Sequence, residues 1–307
     1  TIDGGVGTNR IEVGSGGGSY SGGLGQQTLT DNSGGKFAIS QSGFTTYSVD
    51  TTNSSSVLSY ANGTSAADQN TITFSGGGLS DVILTGAFGT ATSFTVGSWT
   101  GSGTLSGATG QANTLKANGN VDFGLRDTQL TQASGAQSSN FSLQNITDAR
   151  LTSLGSAHTF QVDGWTQTGT LTGSTSAQDT VVSTNNTDFT LTDSRLSRSG
   201  HGDLVLENVE AAVLTGGGSN NTFTVAGWSG TGSINGNAGS DTVVATNDVS
   251  FTLSDTTLGR SGLGSLGLSS VEVASLTGGD NASNFGVSNW HGSATLDGGN
   301  GDDSYSV

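Results

Sequence analysis

No cysteine, proline or methionine occurs anywhere in the 307 residues of this chain. Without cysteine there are no disulfide staples and no thiolate metal site, so stability must come from backbone hydrogen bonding and packing. The absence of methionine implies a processed product or a piece of something longer. Neither a signal peptide nor an apolar run long enough to cross a membrane is legible, so direct membrane insertion is not expected. Positive charge is scarce as well: 8 Lys and Arg stand against 24 Asp and Glu, for a net charge of −16. Such a surface repels nucleic acid and anionic lipid, which removes both from the expected partners. The apolar fraction is low enough that composition alone does not separate a folded chain from a linker. The order of the residues does.

What is present is a repeat. Trp99, Trp165, Trp228 and Trp290 follow one another at intervals of 66, 63 and 62 residues. Each has a phenylalanine five positions before it, at Phe94, Phe160, Phe223 and Phe285, and a leucine further upstream, at Leu84, Leu151, Leu214 and Leu276. A second block, "DFGLRDTQL", "DFTLTDSRL" and "SFTLSDTTL", puts Phe123, Phe189 and Phe251 in register with Asp127, Asp193 and Asp255. The expected divisions are residues 1–78, an atypical first repeat with a Gly/Ser-rich insertion; 79–145, 146–208 and 209–270, regular repeats; and 271–307, a partial repeat. The opening "TIDGGVGTNRIEV" and closing "TLDGGNGDDSYSV" share one phase, as expected of a segment of a longer array. The surplus length of the first interval falls within residues 14–78 and is read as two additional coils or a side loop.

Within each unit, short alternating runs such as "TFTVAGW", "DTVVAT" and "SFTLSD" lie between Gly, Asn, Asp and Ser. Period-two alternation between turn formers signals strands, and no sustained helical period is present. The expected fold is all-β, a parallel β-solenoid (β-helix) with a three-sided coil of about 20 residues and about three coils per repeat. Such a fold also accounts for the composition, since interior strands need every N–H that proline would remove. The recurring Phe and Trp are read as packing; an exposed sugar-binding row is the alternative, and buried rings exclude it.

The stretch from "LTGGGSNNTFTVAGW" to "VEVASLTGG" resembles repeats of giant bacterial surface proteins, the filamentous-haemagglutinin-like and β-strand-repeat adhesins. The resemblance covers most of the chain from about Leu79 onward. It implies a parallel β-solenoid, export from a bacterium and a structural or adhesive role. Locally, "GGNGDDSYS" from Gly298 is similar to the calcium-binding nonapeptide of RTX proteins, with Asp303 in the aspartate place. "GNAGSDTVV" offers Asp241, "GGVGTNRIE" substitutes Asn9, and Asp179 and Asn113 fall slightly out of register. Calcium in that family lies between consecutive nonapeptides, and here the copies are about three coils apart. The copies are therefore read mainly as tight Gly/Asx corners, with Asp297, Asp302 and Asp303 the leading calcium candidates and Asp241 a weaker one. No cofactor is required.

Catalysis is not expected. Asp127, Asp193 and Asp255 occur once per unit, too far apart for the paired carboxylates of glycoside chemistry, and are read as turn caps. His158, His201 and His291 occupy unrelated phases, and no phosphate loop is present. Arg195, Arg198 and Arg260 are read as solvated surface residues, ahead of pairing with aspartates or a contact between rods. The sequence thus points to a secreted, non-enzymatic structural protein of the bacterial surface or extracellular space: the shaft of an adhesin or the body of a fibre. A self-assembling filament subunit and a polysaccharide-binding or polysaccharide-cleaving β-helix are the alternatives. Expected partners are neighbouring coils or copies of itself, cell-surface glycans and another cell.

Overall fold

The computed structural model describes residues 91–97, 101–135 and 137–307 with their side chains, and before them the backbone of eight strands between Asn9 and Thr85. Trp99, the Gly4 nonapeptide and the connections of residues 14–78 lie outside the described residues. The described chain is all-β, with no helix among the described residues, and its strands gather into two mostly parallel sheets. It divides into two compact units, one formed by Thr1–Gly155 with Gln167–Gly169, the other by Ser156–Thr166 with Thr170–Val307.

In the second unit the strands form where alternation demands them. In Thr222–Gly227, Phe223 and Val225 point inward and are buried, while Thr222 and Thr224 are half-buried on the outer face. Thr242–Thr246 repeats the pattern with Val243 and Ala245 inside. The two strands pair in parallel, setting Phe223 beside Val243. Between them Thr231–Asn235 belongs to the other sheet, where it lies parallel to Ala211–Thr215, with Ala211 beside Thr231. The chain thus alternates between the sheets and returns to the first after about 20 residues, at roughly 4.8 Å per step. Two strands, not the expected three, make each return. The segments between these strands, such as Gly236–Ser240, are Gly/Asn/Ser corners without an alternating apolar pattern and remain outside the strands.

A second departure concerns the "FTLTDSRL" block. It does not stack as a single parallel strand. Phe189–Thr192 and Arg195–Arg198 form an antiparallel hairpin, Leu191 opposite Leu196, and Leu204–Glu207 pairs antiparallel with the second of them. Phe251–Ser254, Thr257–Arg260 and Leu266–Ser269 repeat this three-strand meander, whose outer strands rejoin parallel neighbours: Leu266 lies beside Gly232 and Phe251 beside Phe285. The first unit contains the same element in Asp122–Arg126, Gln129–Ser134 and Gln137–Gln144.

The repeat also changes sheets. Ala211–Thr215 and Val273–Thr277 stand at one phase of successive repeats, yet belong to different sheets. Correspondingly, the meander from Phe189 lies in one sheet and that from Phe251 in the other. Each repeat here therefore comprises an odd number of sheet visits, the meander counting as one.

Rings and aliphatic groups make up the core of each unit. Phe94, Phe123, Phe160, Phe189, Phe223, Phe251 and Phe285 are all essentially buried. Register stacks Phe189 on Phe223 with centroids 5.2 Å apart, and Phe285 lies between Phe251 and Tyr305 at 5.4 and 5.2 Å. Each enclosed ring is worth about 2–3 kcal/mol of burial. Trp165 and Trp228 are buried, as a packing role expects, and Trp290 is half-buried. Strands in the first unit, before residue 91, follow the same parallel scheme, Gln27 beside Tyr47 and Phe37 beside Leu58.

Candidate functional site

The Asx positions of the nonapeptide-like copies, Asp241 and Asp303 among the calcium candidates, form a recurring structural corner. Asn113, Asp179 and Asp241 are completely buried at one phase of successive repeats. In each, Oδ1 accepts a backbone N–H from the preceding return of the chain: Thr92 to Asn113 at 2.9 Å, His158 to Asp179 at 2.8 Å and Asn221 to Asp241 at 2.7 Å. Asp303 does the same with the Ser283 N–H, at 2.8 Å. The backbone carbonyl of the corner residue accepts two further N–H groups from the next return. Asp179 takes them from Glu210 and Ala211, Asp241 from Glu272 and Val273, and Asn113 from Thr147 and Asp148. Where that return carries glutamate, its carboxylate accepts the corner's own N–H: Glu210 from Asp179 at 3.0 Å and Glu272 from Asp241 at 2.9 Å. A single Asx thereby joins three successive passes of the chain and satisfies backbone groups that would otherwise be buried unpaired.

Space for this side chain is made by glycine. A Cβ on Gly173 would strike the Asn208 carbonyl, and one on Gly236 the Ser270 carbonyl and Asp241 Oδ2. Gly107 is likewise filled by Asn113, and Gly298 by Asp303. These glycines are fixed by close approach, not by dihedral angle. The residue whose carbonyl closes the pocket does need a left-handed backbone: Asn145, Asn208 and Ser270 have φ of 55°, 50° and 50°.

The corners differ at their second atom. Asn113 Nδ2 donates to the carbonyls of Ala108 at 2.8 Å and Asn145 at 2.7 Å. Asp179 Oδ2 accepts the Ser174 N–H at 2.6 Å. Asp241 Oδ2 is buried without a hydrogen-bond partner. Burial raises the Asp241 pKa; the Asn221 N–H opposes that and the nearby Glu272 carboxylate adds to it.

Among the described residues no group of three or more His, Asp or Glu side chains gathers in a metal-binding arrangement. The leading calcium candidates are dispersed in use: Asp297 Oδ1 accepts the Gly299 N–H at 3.1 Å, Asp303 forms its corner, and Asp302 is exposed.

Asp127, Asp193 and Asp255 occupy the two-residue turns of the three hairpins. Asp193 Oδ1 accepts the Ser229 N–H at 2.6 Å, tying its turn to the loop after Trp228. Asp255 accepts the His291 N–H at 2.8 Å and binds the ring Nδ1 at 2.5 Å; these two bonds hold its carboxyl below the usual range. His158 contacts Ser156 Oγ at 3.2 Å through Nε2, and its backbone N–H donates to Asp179 Oδ1.

Two of the three arginines overturn the solvated-surface expectation. Arg195 is exposed and pairs with Asp203 at 2.8 Å, but Arg198 and Arg260 are buried to 1% and 2% exposure. Arg260 donates to the carbonyls of Trp228 at 2.5 Å and Gly264 at 2.8 Å, and Arg198 to that of Val162 at 2.7 Å. Gln132 holds the same place in the first-unit hairpin and donates to the Gly97 carbonyl at 3.2 Å. Alternation carried this signal, since Arg198 is two residues from inward Leu196 and Arg260 two from inward Leu258. Burial lowers the Arg260 pKa, a cost that the carbonyl cradle and the charge of Asp193 offset.

Together these elements define an all-β repeat chain whose recurrent polar residues are spent on holding its own backbone. No family model matches the chain, and no curated protein matches it.

Proposed function

We propose that this chain is a β-solenoid that serves as a non-enzymatic extracellular structural element: the stiff shaft of a bacterial surface adhesin or the body of an extracellular fibre. The observation that carries this reading is the consumption of each recurrent Asx in joining successive passes: Asp241 receives Asn221 from the preceding return and serves Glu272 and Val273 of the next. Such a corner transmits load along the stacking direction through hydrogen bonds that must break together. The parallel strands supply the continuous ladder, and the stacked Phe column supplies a core that resists bending. The acidic composition, −16 net, keeps like chains apart in solution. Neighbouring coils or other copies are its partners, with cell-surface glycans or another cell as what the assembly reaches.

Electron microscopy of the protein on its native cell surface tests this. Continuous density with an axial spacing of about 4.8 Å between strands is the expected result. A discrete particle that cleaves acidic polysaccharide would overturn it.

A further inference from the structure

The described residues include three Asn-Gly pairs, Asn118-Gly119, Asn235-Gly236 and Asn300-Gly301, and the structure treats them very differently. Asparagine followed by glycine is open to an intramolecular reaction. The glycine backbone nitrogen attacks the asparagine Cγ, a C–N bond forms, the Cγ–Nδ2 bond breaks, and ammonia leaves with the proton. Water then opens the succinimide at either carbonyl to give aspartate or isoaspartate. The reaction needs no other reagent, but it needs a nitrogen free of other bonds and a backbone able to leave its resting conformation.

Asn118 and Gly119 lie within the strand Thr114–Gly119, opposite Thr152 and Ser153, and Gly119 is buried. Asn235 closes the strand Thr231–Asn235 between Thr215 and Ser269, and the buried Gly236 donates its N–H to the Ser269 carbonyl at 2.9 Å. Asn235 is thus held by a ladder on either side, and Asn118-Gly119 by its pairing with Thr152 and Ser153. Asn300 and Gly301 are exposed in a turn; Gly301 has a φ of 103°, and no hydrogen bond among the described residues engages its N–H. The Asn300 side chain is held by one bond, from Nδ2 to Asp280 Oδ1 at 2.9 Å.

We propose that Asn300-Gly301 is a built-in modification site, at which the folded protein deamidates spontaneously while Asn118 and Asn235 are protected. The change has a local structural effect. The lost Nδ2 is the donor that ties this turn to Asp280 on the preceding return, and the new carboxylate faces that of Asp280 at the same place, with Asp302 close in sequence. Isoaspartate also adds a backbone methylene to a tight turn, where a Cβ at Gly301 would come within 2.9 Å of the Ala282 nitrogen. Deamidation thus replaces a cross-link between adjacent passes with repulsion. Its extent marks the age of a molecule that is not replaced.

The test is incubation of the intact folded chain in mildly alkaline buffer, with peptide mapping by mass spectrometry and enzymatic detection of isoaspartate. Asn300 should convert at least about 100-fold faster than Asn118 and Asn235, because a paired strand must open before its backbone reacts. In the unfolded chain the three rates should converge. Equal rates in the folded chain, or an Asn300 as stable as the strand pairs, would overturn the proposal. N300D supplies a separate reading of the consequence: amide exchange at Ser304, whose N–H donates to Ser283, should quicken relative to wild type, and unchanged exchange would remove the loosening effect from the proposal.

Discussion

The corners at Asn113 and Asp241 share a phase, a burial and a backbone role, yet one is complete and the other is not. Asn113 uses both side-chain heteroatoms, receiving Thr92 on Oδ1 and donating from Nδ2 to Ala108 and Asn145. Asp241 keeps the first bond and leaves Oδ2 buried without a partner beside a glutamate. The corner's architecture therefore depends on the oxygen that faces the preceding return, and the second atom tunes its stability and pH response. The common geometry is glycine for room and Asx for the bridge.

The comparison breaks most severely if the shared glycine is filled. Gly236→Ala drives a Cβ into the Ser270 carbonyl and should cost more than about 3 kcal/mol, measured by denaturant unfolding. Gly218→Ala, with nothing within 4 Å of the added Cβ, should leave the midpoint unchanged. Next in size is the buried cation that one hairpin has and its first-unit counterpart lacks. Arg260→Met strands the Trp228 and Gly264 carbonyls and should cost about 2–4 kcal/mol. Arg260→Gln should recover part of that loss, because Gln132 performs the same task.

Asp241→Asn sharpens the comparison directly by converting the third corner into the first. An amide there removes the desolvated charge and should stabilise the chain by about 1 kcal/mol at neutral pH. The sign of its pH dependence follows from the raised pKa of Asp241. The native state holds this proton more tightly than the unfolded state, so wild type gains stability as pH falls through the raised value. The advantage of the amide should shrink over that same window; an advantage that grows with acid would refute the assignment.

The smallest effect belongs to the exposed turn at Asp255, whose carboxyl is held low by His291. Its contribution is present above the ordinary aspartate range and lost as pH falls through the lowered value. NMR titration should place the Asp255 carboxyl at higher pH in His291→Ala than in wild type, with little change in stability.

Much of this organisation was legible in the sequence. The Trp and Phe spacings located the repeat and its core rings, and alternation identified the strands. The number of sides was not, because a Gly/Asn corner and a short third strand both follow a run such as "TVVAT". The meander was missed although its signal was present: "FTLTDSRLSR" alternates on both sides of a two-residue turn, the hairpin signature. Reading Asp193 as a turn cap located the bend without its direction. Arg198 and Arg260 were placed outside by their charge, although their spacing from Leu196 and Leu258 placed them inside. At the Asx phase the corner was legible, but the lack of a partner for Asp241 Oδ2 was not: the Asn237–Ser240 loop is one residue shorter than its counterpart before Asp179, where Ser174 supplies the N–H.

The exchange of sheets between successive repeats sets a rule for what the outer surfaces can display. A substituent on the Phe189 meander emerges from one sheet, and its counterpart on the Phe251 meander from the other. Groups carried once per repeat by the meander are thus shared out between the two sheets in these successive repeats. A binder that engages a single sheet would meet one of the two meanders, whereas one that reaches both sheets would find like groups on each.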